Sequence, residues 1–466
     1  MTPWTVLGTI ALYFAAMLLV SRLSGKGDFY GTRKSHPLLV TIAMIGACMS
    51  GVTFVSVPGM VGVSGMGYLQ MCLGFMAGYV VIAFVLMPLY YRLQVVSIYQ
   101  YLEERFGLGS YRTGAWLFFI SKMLGASVRL FLVCLTEQLL IFDPLGLPFA
   151  LNVLLNVAIV LAYTFRGGVH AVIWTDVLKT LCMVVAVALS IVFIGRDLGL
   201  DGKGLVGSIT SSEMSRVFFF DDVLHPQYFW KQFLGGLFTV LAMTGLDQDM
   251  MQRALSSRNS GEAKRSLLLS SLLQTVVIFL FLCLGVLLYR YAAASGIAET
   301  GDKLFPAVAT GGGLPLVVGI LFVLGLVSTA YGAGGSALTS LTTSFTVDIL
   351  GKREEKTRRR VHLGMAALMA LVILVFNALN STSAIDAVYR IASYTYGPLL
   401  GMFAFGILTK KQVRDRWVPL IAVAAPLVCL VLQLNSVRWM GGYQFSYEIL
   451  PLNAGLTFLG LYLSSK

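Results

Sequence analysis

The sharpest chemical pair in the chain lies in the run Trp174-Thr175-Asp176-Val177-Leu178-Lys179. Three positions apart on a helix, Asp176 and Lys179 share one face and can interact. They sit inside a long apolar stretch, where a charge costs about 3 kcal/mol and is functional by default. Two readings are open. The pair is a buried structural bridge, or Asp176 ligates a cation while Lys179 supplies a second, titratable charge that a dry site lets load and release a proton. Arg129 is a third charge at such depth, in KMLGASVRLFLV. It either pairs with Glu137 or Asp176, or offers its guanidinium fork to a substrate carboxylate in two hydrogen bonds. Lys122 and Glu137 lie nearer the helix ends, within snorkelling reach of the interface. Asp386 and Arg390 read as a gate or a surface pair.

Backbone groups form a second candidate constellation. The run GACMSGVTFVSVPG, from Gly46 to Gly59, places three glycines and Pro58 at membrane depth. Breakers there free carbonyls that are tolerated only against protein or a cavity, and interrupted helices typically mark the site of a secondary transporter. A Pro kink without a ligand is the plainer alternative. A further interruption is expected near Gly235, Gly236 and Gly245, five spans later, the spacing of a five-plus-five inverted repeat. The stretch 325–350 is crowded with small and hydroxyl residues: Gly332, Gly334, Gly335 and Ser336, then Thr339, Ser340, Thr342, Thr343 and Ser344. It reads as a packing interface or as the wall of an ion or solute pathway.

The elements that position these residues are membrane helices. The chain is 57% hydrophobic and 12% charged, with a mean hydropathy of +0.81, which defines an all-α polytopic membrane protein. Continuous apolar runs exclude a β-barrel. The net charge of +12 does not signal nucleic acid, because the basic residues sit in short loops between apolar runs. About thirteen spans are expected. The loops from Arg22 to Lys34, Arg92 to Arg112, Arg253 to Arg265, Lys352 to Arg360 and Lys410 to Arg416 carry most of the positive charge. By the positive-inside rule they are cytoplasmic, with the N-terminus outside and the C-terminus inside a plasma or inner membrane. No cleavable leader and no appended soluble domain are expected. All six cysteines fall in apolar runs, as small core residues do. The four histidines are placed in loops or at helix ends, without a metal motif. The segment 196–228, with Phe218, Phe219 and Phe220, is expected to lie in the external interface, and Lys352–Arg360 to be drawn to anionic lipid.

The chain resembles the sodium:solute symporter family in KGDFYGTRKSHP (26–37), SGVTFVSVPG (50–59), GGVHAVIWTDVLKT (167–180), LDQDMMQR (246–253), SFTVDIL (344–350) and IASYTYGPLLGMFAFGIL (391–408). That resemblance implies a LeuT-type core at 37–408, with repeats 37–195 and 229–408. An extra helix and loop at 1–36 and two further helices at 409–466 would flank it. Alternating access would expose a solute held between broken helices near the midplane.

The family's principal sodium site maps onto the carbonyls of Gly46 and Met49 and onto Thr329, Gly332 and Ala333, where two hydroxyls are missing. A second site maps onto Asp176, Gly335 and Ser336. A carbonyl remnant is a poor site for a hard cation, and Lys179 stands where relatives commonly carry a neutral glutamine. The expectation is that the Lys179 ammonium replaces sodium and that protons or the solute gradient drive transport. The competing reading keeps a weakened sodium site, with Lys179 snorkelling or paired to Asp176. Cys48, Ser50, Thr53, Gln70 and Arg129 are the candidate substrate residues. Arg129 points to an anionic or zwitterionic solute, with a sugar or other neutral solute still compatible. No enzyme activity and no cofactor are expected, with sodium or a proton as coupling ion. The partners are a small solute and membrane lipid, with no nucleic acid and no obligate protein. An ordinary sodium symporter and a non-transporting solute sensor are the alternatives.

Overall fold

In the computed structural model, residues 2–23, 37–93, 98–164, 169–311, 313–352, 354–379 and 384–465 are described. Residues 26–36 of the first family segment, with His36, lie outside them, as do 167 and 168. The membrane helices are α1 (Pro3–Leu23), α2 (Pro37–Cys48), α3 (Gly51–Ser64), α4 (Tyr68–Arg92), α5 (Leu108–Phe142), α6 (Phe149–Thr164) and α7 (Val169–Asp197). After an external segment come α8 (Phe229–Val240), α9 (Ser260–Ser295), α10 (Leu316–Ile349), α11 (Glu355–Leu379), α12 (Ala384–Leu408), α13 (Val418–Trp439) and α14 (Ile449–Ser464). No strand occurs among the described residues, only an isolated bridge between Val413 and Ser465. Among the described residues, eight helices are long and apolar enough to cross a bilayer alone, and α2 with α3 forms a ninth, bent span. Trp4–Ala16, Phe149–Ala162 and Ile449–Ser464 are shorter apolar stretches.

The bent span is the feature that shapes the interior. Its two halves meet at 59°, with Met49 and Ser50 between them and Ser50 in extended backbone (φ −121°, ψ 177°). Pro58 sits inside α3 without ending it. Glycine is required at position 46 by close approach. A Cβ there would lie 2.6 Å from the Asp176 carbonyl oxygen and 2.7 Å from Thr180 Oγ1, so α2 presses directly on α7.

The second expected interruption falls beside Gly245, the last of the three glycines named for it. Helix α8 runs through a π-turn at Leu241–Gly245 and breaks at Leu246 and Asp247, before a short helix Gln248–Leu255. Gly236 instead lets α8 seat on α4: a Cβ at Gly236 would be 2.2 Å from the Met71 carbonyl oxygen, and one at Gly74 would be 2.1 Å from that of Phe233. Helix α10 packs along α5, α6 and α7, so the hydroxyl-rich stretch lies at the centre of the molecule. Most of its hydroxyls bond its own carbonyls one turn back, as Thr339, Thr342 and Thr343 do.

Candidate substrate and ion site

A cavity of about 130 Å³ opens where the broken span faces α5, α7, α10 and α12. That size is comparable with engineered cavities that admit a benzene-sized molecule. Cys48, Ser50 and Thr53 reach it from the break, Arg129 from α5, Asp176 and Lys179 from α7, and Gly332, Ala333 and Ser336 from α10. Nine of the candidate residues therefore meet around one space. Met49 and Thr329 are fully buried in the surrounding wall, and Gly46 is the α2–α7 contact described above. Gln70 is placed differently. It is buried away from the cavity, where its amide donates to the Gln227 carbonyl at 3.0 Å and its oxygen accepts from Phe219 N–H at 3.0 Å. It fastens the external segment, because both backbone partners lie in that loop.

Lys179 is almost completely buried, and its Nζ has no hydrogen-bond partner among the described residues. A Cβ built at Gly332 would lie 3.5 Å from Lys179 Cδ, 3.8 Å from its Nζ and 3.7 Å from Asp176 Oδ1. The lysine therefore lies against Gly332 of α10. It does not bond Asp176, whose Oδ2 instead pairs with Arg253 Nε at 3.3 Å. Arg253 Nη2 lies 3.0 Å from Ser336 Oγ, so one guanidinium bridges the side chains of Asp176 and Ser336. Arg129 lines the cavity and has no ion-pair partner among the described residues.

Sequence reading missed the ionic cluster below this space. Lys122 Nζ lies 2.9 Å from Asp247 Oδ2 and 3.4 Å from Asp249 Oδ2. Arg253 pairs with Asp249 at 2.8 Å, Ser336 donates to Asp249 at 2.6 Å, and Tyr396 donates to Asp247 at 3.1 Å. The break after α8 is thereby tied to α5, α7, α10 and α12. Arg253 was counted among loop charges that set topology, and Lys122 among those able to snorkel; both are buried and paired. The signal was available: a lysine in an apolar run needs a counter-charge, and LDQDMMQR offers two carboxylates. Glu137 is likewise buried in the protein. His362 is no loop residue either; it lies inside α11, buried, 3.0 Å from Thr164 Oγ1 and 2.8 Å from Thr342 Oγ1.

On the opposite side of the cavity the Tyr68 and Tyr389 hydroxyls meet at 2.5 Å, and the Tyr447 hydroxyl donates to Asp386 at 2.7 Å. Tyrosines thus cover the end of the cavity where α4 and α12 begin.

Interrupted helices around a charged central cavity are the architecture of a secondary transporter. The sodium:solute symporter family model matches residues 29–415, and the chain belongs to that family. The human sodium/iodide cotransporter is 25% identical over 425 residues, covering 84% of this chain and 65% of that protein. The chain thus spans about two thirds of that relative's length. The mouse sodium-coupled monocarboxylate transporter 1 is 27% identical, covering 85% and 68%. The sodium/sialic acid symporter NanT of Aliivibrio fischeri is 25% identical, covering 84% and 77%. Among solved structures, a sodium-coupled sialic acid symporter in a substrate-bound outward-open state superposes with a TM-score of 0.78 at 19% identity, covering 99% of this chain and 98% of that one. The nucleobase-cation-symport-1 transporter Mhp1, in a closed conformation with bromovinylhydantoin bound, gives 0.56 at 13% identity, covering 94% of each. Both likenesses establish the fold.

Proposed function

We propose that this protein is a secondary active transporter that moves a small carboxylate-bearing solute by alternating access, with Lys179 supplying the charge that sodium supplies in relatives. The transport core is residues 37–408, flanked by a helix on one side and two helices on the other. The observation that carries this reading is the buried Lys179 amine, without a hydrogen-bond partner among the described residues and 3.8 Å from where a Cβ at Gly332 would lie. An isolated ammonium away from water is expensive, so its place beside a cation position stripped of hydroxyls argues for a role. Ser336 and Asp176, the oxygen remnant of the second position, already hold Arg253.

The charge around the cavity supports an anionic solute. Four cationic and three anionic side chains line it, and all three carboxylates are engaged by ion pairs. One positive charge remains uncompensated, and the unpaired Arg129 fork has the geometry a carboxylate accepts. Sodium entering the same space would add to that excess. Substrate would bind between the break at Met49–Ser50 and Arg129, with Cys48, Ser50 and Thr53 offering polar contacts.

Uptake of a panel of small labelled carboxylates by purified protein in liposomes tests this. Saturable uptake of a monocarboxylate is expected, with KM raised at least about tenfold in Arg129→Gln, the equivalent of one lost charge-assisted contact. Uptake of neutral solutes alone, indifferent to Arg129→Gln, would contradict the substrate assignment.

A further inference from the structure

One buried acid takes no part in the cavity. Glu137, near the end of α5, is 5% exposed, and no ion pair among the described residues includes it. Its Oε2 accepts from the Asn156 amide at 2.6 Å, and its Oε1 lies 3.4 Å from the Tyr331 hydroxyl. Counting donors fixes the protonation that suits this arrangement. The Asn156 amide also donates to Asn152 Oδ1 at 2.7 Å, while Asn156 Oδ1 accepts from the Tyr331 hydroxyl. The tyrosine has one proton, and Asn156 takes it. The remaining Tyr331–Glu137 contact is oxygen against oxygen, and it becomes a hydrogen bond when Glu137 carries a proton and donates it. A neutral carboxyl also removes the cost of a bare carboxylate at this depth.

Among the described residues the surroundings offer Glu137 no ion-pair partner. Tyr331 from α10 and Cys134, one turn back on α5, are the titratable groups beside Glu137; α6 contributes the neutral Asn152 and Asn156, and α1 contributes Phe14, whose ring packs edge-on against Tyr331. Tyr331 is the residue before Gly332, the position Lys179 reaches. The hydroxyl that senses the Glu137 proton is therefore carried by the segment of α10 that forms the altered ion position.

We propose that Glu137 is a proton-binding site and that the proton it takes up from one aqueous face and releases to the other is the ion coupled to solute movement. The coupling half rests on the transport reading above; the proton-binding half stands without it. In the proton step a carboxylate accepts one proton to become a carboxylic acid and later returns it, with no other reactant.

Two measurements on the full-length protein in liposomes test the two halves separately. Infrared difference spectra of wild type against Glu137→Gln should show a carboxylic-acid carbonyl band at neutral pH that the variant lacks and that bleaches as pH rises. Identical spectra overturn the proton site, whatever transport does. In uptake assays, an inward gradient of one pH unit should raise wild-type accumulation by up to about tenfold at one proton per solute, and Glu137→Gln should exchange solute but ignore the gradient. Wild-type uptake indifferent to the gradient overturns the coupling while leaving sodium-free transport standing. Glu137→Asp, which keeps a carboxyl, should keep both the band and the gradient response; loss of both in that variant as well would point to a packing role and overturn the proposal.

Discussion

In the proposed account Lys179 carries its charge into the interior on four methylenes, beside an α10 position that has no side chain. A Cβ at Gly332 would already touch the lysine stem at 3.5 Å, and a serine hydroxyl beyond it would contend with the ammonium for the same space. The combined change Lys179→Gln, Gly332→Ser and Ala333→Ser should therefore restore an oxygen-lined cation position and make uptake sodium-dependent. A variant that folds and transports yet ignores sodium would show that these residues do not form the ion position. The charges at depth were legible in the sequence because a buried ion has few explanations, which is why Arg129, Asp176 and Lys179 were found together. Gln70 was not legible. A buried amide takes whatever backbone reaches it, and its partners Phe219 and Gln227 come from a loop about 150 positions away.

At the scale of elements, two devices hold the broken spans in register. The first is glycine packing between α4 and α8. Gly236→Val would drive a branched side chain into the Met71 carbonyl, 2.2 Å from the new Cβ, and should cost about 1–3 kcal/mol as overpacking, measured as a lower unfolding temperature in detergent. An unchanged unfolding temperature would mean that the close approach is not needed. The second is the ionic cluster. Asp247→Asn leaves buried Lys122 with only the 3.4 Å contact to Asp249, a loss on the order of 3 kcal/mol for a broken buried pair. Because the cluster fastens the end of α8 to α5, α7, α10 and α12, the same change should speed labelling of Cys48 by a thiol reagent from the side of the basic loops. Slower or unchanged labelling would mean that the cluster does not seal that side. The break in the second span was legible from Gly46, Ser50 and Pro58. The break after α8 was legible in part: it falls beside Gly245, while Gly235 and Gly236 serve packing.

For the molecule as a whole, hydropathy and loop charge were enough to place helices at the stretches read as spans, because a bilayer forces backbone hydrogen bonds to close within each helix. The orientation proposed from the basic loops puts them in the cytoplasm. A cysteine placed at Lys356 should react with an impermeant reagent only from the cytoplasm and one at Lys203 only from outside; the reverse pattern would invert the topology. The central claim is that a tethered ammonium stands in for sodium, so that the transport cycle runs without that ion. Initial uptake rates in liposomes, measured with sodium and with sodium replaced by an inert cation at equal ionic strength, test it most directly. Equal rates are predicted; a strict requirement for sodium would contradict the account.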